Sequence, residues 1–365
     1  MERNVTDLLS VADEAGTPCY VYDLADLRAG RQSLLAALPA RAELRYALSA
    51  NPHPELLREI REAGVLPAVR SSGELDAALV AGWPGRDVLY TGPARRDADL
   101  EWALGLGVRT FAVDSPVALD QLARRAAGRP VRCLLRVNAC GSVRAGADPD
   151  AVFAEPSRFT GRDGVRVVGL HVCADADADS AADLTGRLIS VLAREGGPVE
   201  RVGFTGFAPR FAHLLAGGPF VSFEVDRELV GSAATLVTAV LDVRFSGGGQ
   251  TAVLESGANH IGPFAGRHRR PLTPKLISRP LSGDLVDTVL IGPQETPFDV
   301  WAPALRLPPL RPGDVLAVPD LGAWGVTAGL AAFSGADLPS EVVVDRDDPG
   351  AGVVHVSRLS VARYP

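Results

Sequence analysis

Lysine is almost missing from this chain. Of its 37 basic residues only Lys275 is a lysine, and the rest are arginines. An amine that could form an imine is therefore present on a single side chain. Cysteine is scarce as well. Cys19, Cys133, Cys140 and Cys173 show no CxxC spacing, which excludes a zinc ribbon or a disulfide framework as the basis of the fold. No apolar run approaches the ~18 residues of a membrane span, and Met1-Glu2-Arg3-Asn4 does not open a signal-peptide pattern. The expectation is a cytoplasmic protein without a membrane partner. The net charge of −7 argues against a nucleic-acid partner.

What the chain does have is bulk and regular alternation. Its 365 residues, 47% hydrophobic and 22% charged, suffice for a large domain and a smaller one. After a short amphipathic helix at 5–15 and a strand at Cys19-Tyr20-Val21-Tyr22, apolar runs end near Ser49, Ser71, Thr91, Asp114, Asn138, Cys173, Thr205 and Val225. Helical stretches at 54–63, 73–81, 97–106, 115–126, 179–196 and 209–217 separate most of them. Helices of this length between short strands mean parallel βαβ units, and eight such strands predict an α/β fold, a (β/α)8 TIM barrel over 24–227. The polar, Gly-rich interval 138–165 reads as a loop on the active face. Beyond residue 228 strands follow one another without helices, at 237–245, 251–254, 286–291, 315–318, 341–345 and 353–357. That is a C-terminal, mostly antiparallel β domain, assigned to 228–365 together with 1–23.

The strand ends carry motifs. Arg45-Tyr46-Ala47-Leu48-Ser49-Ala50-Asn51 resembles the Y-A-x-K-A-N motif of the fold-type III, alanine-racemase-like PLP decarboxylases that act on diaminopimelate, ornithine and related amino acids. Ala68-Val69-Arg70-Ser71-Ser72-Gly73-Glu74-Leu75 resembles A-D-V-x-S-x-G-E-L, and Glu224-Val225-Asp226-Arg227-Glu228-Leu229-Val230 resembles E-P-G-R-x-L-V. The order of the motifs covers nearly the whole chain. The resemblance implies a barrel whose Lys holds pyridoxal phosphate, whose Glu pairs with the pyridine nitrogen and whose Arg region binds phosphate.

Several of those positions depart from the family pattern. Ser49 stands for the Schiff-base lysine, and a hydroxyl cannot form an imine. In Gly169-Leu170-His171-Val172-Cys173-Ala174-Asp175-Ala176 the ring-stacking His is Cys173 and the phosphate Ser is Ala176. Phe204-Thr205-Gly206-Phe207 replaces G-G-G-F, so side chains stand where glycines allow close approach. In Gly292-Pro293-Gln294-Glu295-Thr296-Pro297-Phe298-Asp299 the family's cross-subunit Cys is Glu295, and in Asp320-Leu321-Gly322-Ala323-Trp324-Gly325 the phosphate-contacting Tyr is Trp324. Leu254 to His260 followed by Arg267 to Pro271 resembles the short β-domain insert of decarboxylases near natural-product pathways, some of which take carrier-tethered substrates.

These departures lead to the expectation of no cofactor, because the PLP site reads as degenerate, and of no metal. The vacated pocket would serve a small anionic substrate, an amino acid or a carrier-tethered acyl group, in PLP-independent, lyase-like biosynthetic chemistry. Glu224, Cys173, His171 and Glu295 are the proton-moving candidates. Arg227, Ser49, Arg136, Asn138, Asp175 and Trp324 are the substrate-binding candidates. His171, Cys173 and Asp175 alternate along one strand and share a face; they either form a Cys–His pair or simply fill space. Glu224 is either a general base or a structural carboxylate paired with Arg227. A homodimer is expected, since the resemblance implies sites built from two chains. Two other readings stay open: a catalytically inactive homologue that binds a partner, and an enzyme that still uses PLP.

Overall fold

The computed structural model describes residues 5–139, 146–173, 178–209, 211, 218–262, 272–281, 283–348 and 352–363. They form two compact units, Arg31–Glu228 and Met1–Gly30 with Leu229–Pro365. Among the described residues no helix is long and apolar enough to cross a membrane.

After β1 (Cys19–Asp23), which belongs to the second unit, eight strands build the first: β2 (Ala42–Ala47), β3 (Leu66–Val69), β4 (Leu89–Tyr90), β5 (Thr110–Val113), β6 (Val131–Asn138), β7 (Val165–Cys173), β8 (Arg201–Thr205) and β9 (Phe220–Val225). They close in sequence order into a barrel, and β9 returns to pair in parallel with β2. All eight expected strands are present, so the (β/α)8 reading stands. The local chemistry explains why the helices between them start where they do. Ser71 and Ser115 cap two of them, accepting hydrogen bonds from the amides of Glu74 and Ala118 three residues on. Pro54 and Pro116 occupy first helical positions, where no amide is needed. The helices then bury one stripe, such as Leu56, Leu57 and Ile60 of Pro54–Glu62. On the barrel's inner face Leu89, Ala112, Leu134 and Val168 form an apolar cluster.

The interval 138–165 is not a plain loop. It holds a helix, Pro149–Ala154, capped by Asp148, and a 3-10 turn, Pro156–Phe159. Polar composition conceals the cap-and-proline signal that starts this helix. The expected helix at 209–217 lies almost wholly outside the described residues, as do Cys140, Asp175, Ala176 and Arg267 to Pro271.

The second unit is a mostly antiparallel sheet of β1, β10 (Ala234–Ser246), β11 (Gly249–Leu254), β12 (Lys275–Leu276), β13 (Val286–Ile291), β14 (Val300–Leu307), β15 (Val315–Pro319), β16 (Ser340–Val344) and β17 (Val353–Arg358). Its organising strand is β10. The first half lies between β1 and β15, and a bulge after Val240 turns the second half onto β11. The parallel pairs are β1 with β16 and β11 with β13. Strand β14, at the sheet edge, is absent from the sequence-based expectation. Inward-facing residues of these strands, Val240, Ala252, Leu254, Leu290, Leu307 and Leu316, pack into one core.

Candidate active site

Register decides which side chains share the inside of the barrel. In a parallel ladder, paired residues point to the same face. Arg136 pairs with His171, His171 with Gly203, Gly203 with Ser222, and Thr205 with Glu224. A Cβ on Gly203 would stand 3.1 Å from Ser222 Oγ and 3.3 Å from His171 Cδ2, so the glycine makes room for the imidazole.

Glu224, at the end of β9, is the centre of the cluster. It is 4% exposed. Arg70, just past β3, donates from Nη2 to Glu224 Oε1 at 3.1 Å. His171 Nε2 lies 3.5 Å from Oε2, too long for a good hydrogen bond. Glu224 Oε2, His171 Nδ1, Ser49 Oγ and Arg136 Nε are buried and have no hydrogen-bond partner among the described residues. Four buried polar atoms without partners are costly unless something else meets them.

Charge states follow from the surroundings. Burial pushes His171 down to about 4; Glu224 opposes that shift, and Arg136, Arg70 and Arg45 add to it. The ring is neutral at pH 7. Burial alone would raise the Glu224 carboxyl, but His171, Arg70 and Arg136 outweigh it and hold the group below the usual carboxylate range. Asp114 is raised, chiefly by burial, with Arg95 and Arg136 opposing. Beyond Glu224 the chain turns into the short helix Arg227–Val230. There Asp226 is pushed up to about 7 by burial and by the neighbouring Glu228, whose own carboxyl is held low despite its burial by hydrogen bonds from Asp226 and from backbone amides. The Asp226 amide donates to Glu228 Oε2 at 3.2 Å.

The expected residues therefore fall into groups. His171, Glu224 and Arg136 contribute buried polar atoms to the barrel interior, and Ser49, just past the end of β2, has a buried hydroxyl without a partner among the described residues. Cys173 is buried at the end of β7, in register with Asn138. Arg227 is half-buried and its amide donates to the Asp226 carboxylate; the guanidinium that meets Glu224 is that of Arg70. Glu295 and Trp324 belong to the β unit, where both adopt left-handed backbone, φ 52° and 56°. Glu295 is exposed on a loop pinned by Asp299, whose Oδ1 accepts the Ala258 amide at 2.6 Å. Asp175 lies outside the described residues, so the His171, Cys173 and Asp175 face is described only in its first two members. Reading residue types alone misses Arg70 and Arg95. A signal for Arg70 exists: it falls two residues after Ala68, on the same face, at a strand end where barrel proteins keep their functional groups.

Comparisons with known proteins converge. Residues 24–176 match the family described as pyridoxal-dependent decarboxylase, pyridoxal binding domain. The chain is similar to a diaminopimelate decarboxylase of Deinococcus radiodurans, 29% identical over 92% of this chain and 92% of the relative. It is similar to the L-glutamyl-[BtrI acyl-carrier protein] decarboxylase of Niallia circulans, 25% identical over 94% of this chain and 92% of the relative. Its fold is similar to lysine/ornithine decarboxylase from Vibrio vulnificus complexed with putrescine, with a TM-score of 0.78 and 23% identity, over 93% of this chain and 97% of that one.

These findings overturn one expectation. The sequence reading expects no cofactor; the matched pyridoxal-binding domain and the decarboxylase relatives point to pyridoxal phosphate instead. The misreading equates substituted contact residues with loss of the whole site. One observation fits the cofactor directly: Glu224 is a buried carboxylate with one oxygen free to accept from a protonated ring nitrogen. The fit does not extend to an imine at position 49, where the chain offers a hydroxyl.

Proposed function

We propose that this chain, which is similar to pyridoxal-dependent decarboxylases, is a cytoplasmic decarboxylase-like enzyme acting on an amino-acid-derived carboxylate, free or tethered to a carrier protein. The observation that carries this reading is Glu224, buried at a barrel strand end between Arg70 and His171 with Oε2 unpartnered. When bound, pyridoxal phosphate supplies an electron sink for the carbon that loses CO2. Glu224 would hold the ring nitrogen, and its ionised state is what makes it a suitable acceptor. Arg136, with an unpartnered Nε on the inner face, would orient the substrate anion. Neutral His171 adds no charge to the resting site and can take up a proton at the ring nitrogen its tautomer leaves bare, then return it. Cys173, buried beside it along the strand, is a second proton-bearing group. Carrier tethering is supported by the relative from Niallia circulans.

Exposed Glu295, followed by exposed Phe298 and Val300, supports a homodimer in which this loop meets a second copy. Light scattering at micromolar concentration should give twice the chain mass; a monomer refutes that part.

The test of activity is CO2 release. Purified protein supplied with pyridoxal phosphate is offered L-lysine, L-ornithine, L-glutamate and L-glutamyl-carrier thioester. Release above the protein-free rate from at least one supports the proposal. A folded protein that releases none from any of them favours a second reading, a catalytically silent homologue that binds a partner, which Ser49 supports.

A further inference from the structure

Arg70 lies between solvent and the buried carboxylate. Its side chain is 38% exposed while that of Glu224 is 4% exposed, yet Nη2 reaches Oε1 at 3.1 Å. The backbone beneath it is held. Its amide donates to Glu74 Oε2 at 2.8 Å. Freedom to move therefore resides in the side-chain torsions. Glu224 is not the sole carboxylate acting on this guanidinium: Glu74 and Asp226 attract it as well. The guanidinium is the part of Arg70 that a second cation at Glu224 would act on.

We propose that Arg70 sets the specificity and strength of ligand binding at Glu224, because its guanidinium on Oε1 partly neutralises the carboxylate whose free Oε2 would meet a protonated ring nitrogen. This rests on the reading of Glu224 as the ring-nitrogen partner. Arg70 is a positioning residue in this scheme. With the guanidinium on Oε1 the carboxylate is half satisfied, and a pyridinium ligand gains less on arrival than it would from an uncompensated carboxylate. A ring nitrogen that carries no N–H keeps only the charge attraction and gains less.

The experiment is a fluorescence titration of pyridoxal 5′-phosphate and of its ring-N-methylated analogue into the wild-type protein, Arg70→Ala, Arg70→Met and the double variant Arg70→Ala/Glu224→Gln. Arg70→Met keeps the aliphatic stem, so it guards against loss of packing. Both single variants should bind pyridoxal phosphate on the order of tenfold more tightly than wild type, the range for a charged hydrogen bond. The double variant should lose that gain, and the N-methylated analogue, which has no N–H, should gain less. Equal or weaker binding by both single variants, or no binding by any protein, overturns the proposal. A gain in binding without CO2 release from any substrate leaves the effect of Arg70 established and refutes the catalytic reading instead.

Discussion

Arg70 and Glu224 are 154 residues apart in the chain and in hydrogen-bond contact across the barrel mouth. Strand β2 alone separates β3 from β9, so barrel closure places their ends side by side. The pair joins a residue of the first motifs to one of the last, and its free oxygen, Oε2, is the feature on which the functional reading turns.

Glu224→Gln keeps the shape and removes the charge. It should weaken pyridoxal phosphate binding by about 1.5–3 kcal/mol, the range for a hydrogen bond to a charged group. CO2 release should fall with it. Calorimetric titration measures the first and a coupled CO2 assay the second; binding unchanged from wild type would remove Glu224 from the site.

His171 makes stability depend on pH. Its folded value of about 4 lies below the ordinary 6.5, so the unfolded chain binds the proton more readily. The sign is therefore positive: the contribution is complete above pH 6.5 and is lost as pH falls from 6.5 to about 4. For a group this buried the loss is on the order of a few kcal/mol. Urea unfolding of His171→Asn should show a flatter slope across that window, and parallel curves for the two proteins would contradict the assignment.

Asp226 has the opposite sign. Its folded value of about 7 lies above the ordinary 3.8, so the folded state holds the proton and stability is lost as pH rises from 3.8 through about 7. Asp226→Asn should raise the melting temperature at pH 8 and change it little at pH 4. A lower Tm at pH 8 would mean that the ionised carboxylate is stabilising where it stands.

Position 49 bears on attachment. Borohydride reduction of the protein with pyridoxal phosphate should yield no pyridoxyl-lysine inside the barrel, since the sole lysine, Lys275, is exposed on β12 of the other unit. Ser49→Lys should introduce an adduct at residue 49. Peptide mass spectrometry reads both. An adduct on Lys275 in the wild type that quenches on substrate addition would move the site to that residue.

The barrel was legible because its signals are local. Strand and helix periodicity, serine caps such as Ser71 and prolines such as Pro54 each act within a few residues, and the strand signal recurs eight times. Glu224 and His171 could be named as candidates because a strand end is a local property too. Strand β14 shows the limit of this reasoning: it is held by its pairing with β13, which is not a local property.

The sequence by itself determined the alternation of strands and helices, the hydroxyl at Ser49 and the scarcity of amines. Only the tertiary structure decided that Glu224 meets Arg70, that Gly203 makes room for His171, and that Oε2 of Glu224 remains without a hydrogen-bond partner among the described residues. The physical reason is that propensity and residue chemistry are written along the chain, whereas pairing, burial and the pKa shifts that follow depend on distances set when the barrel closes.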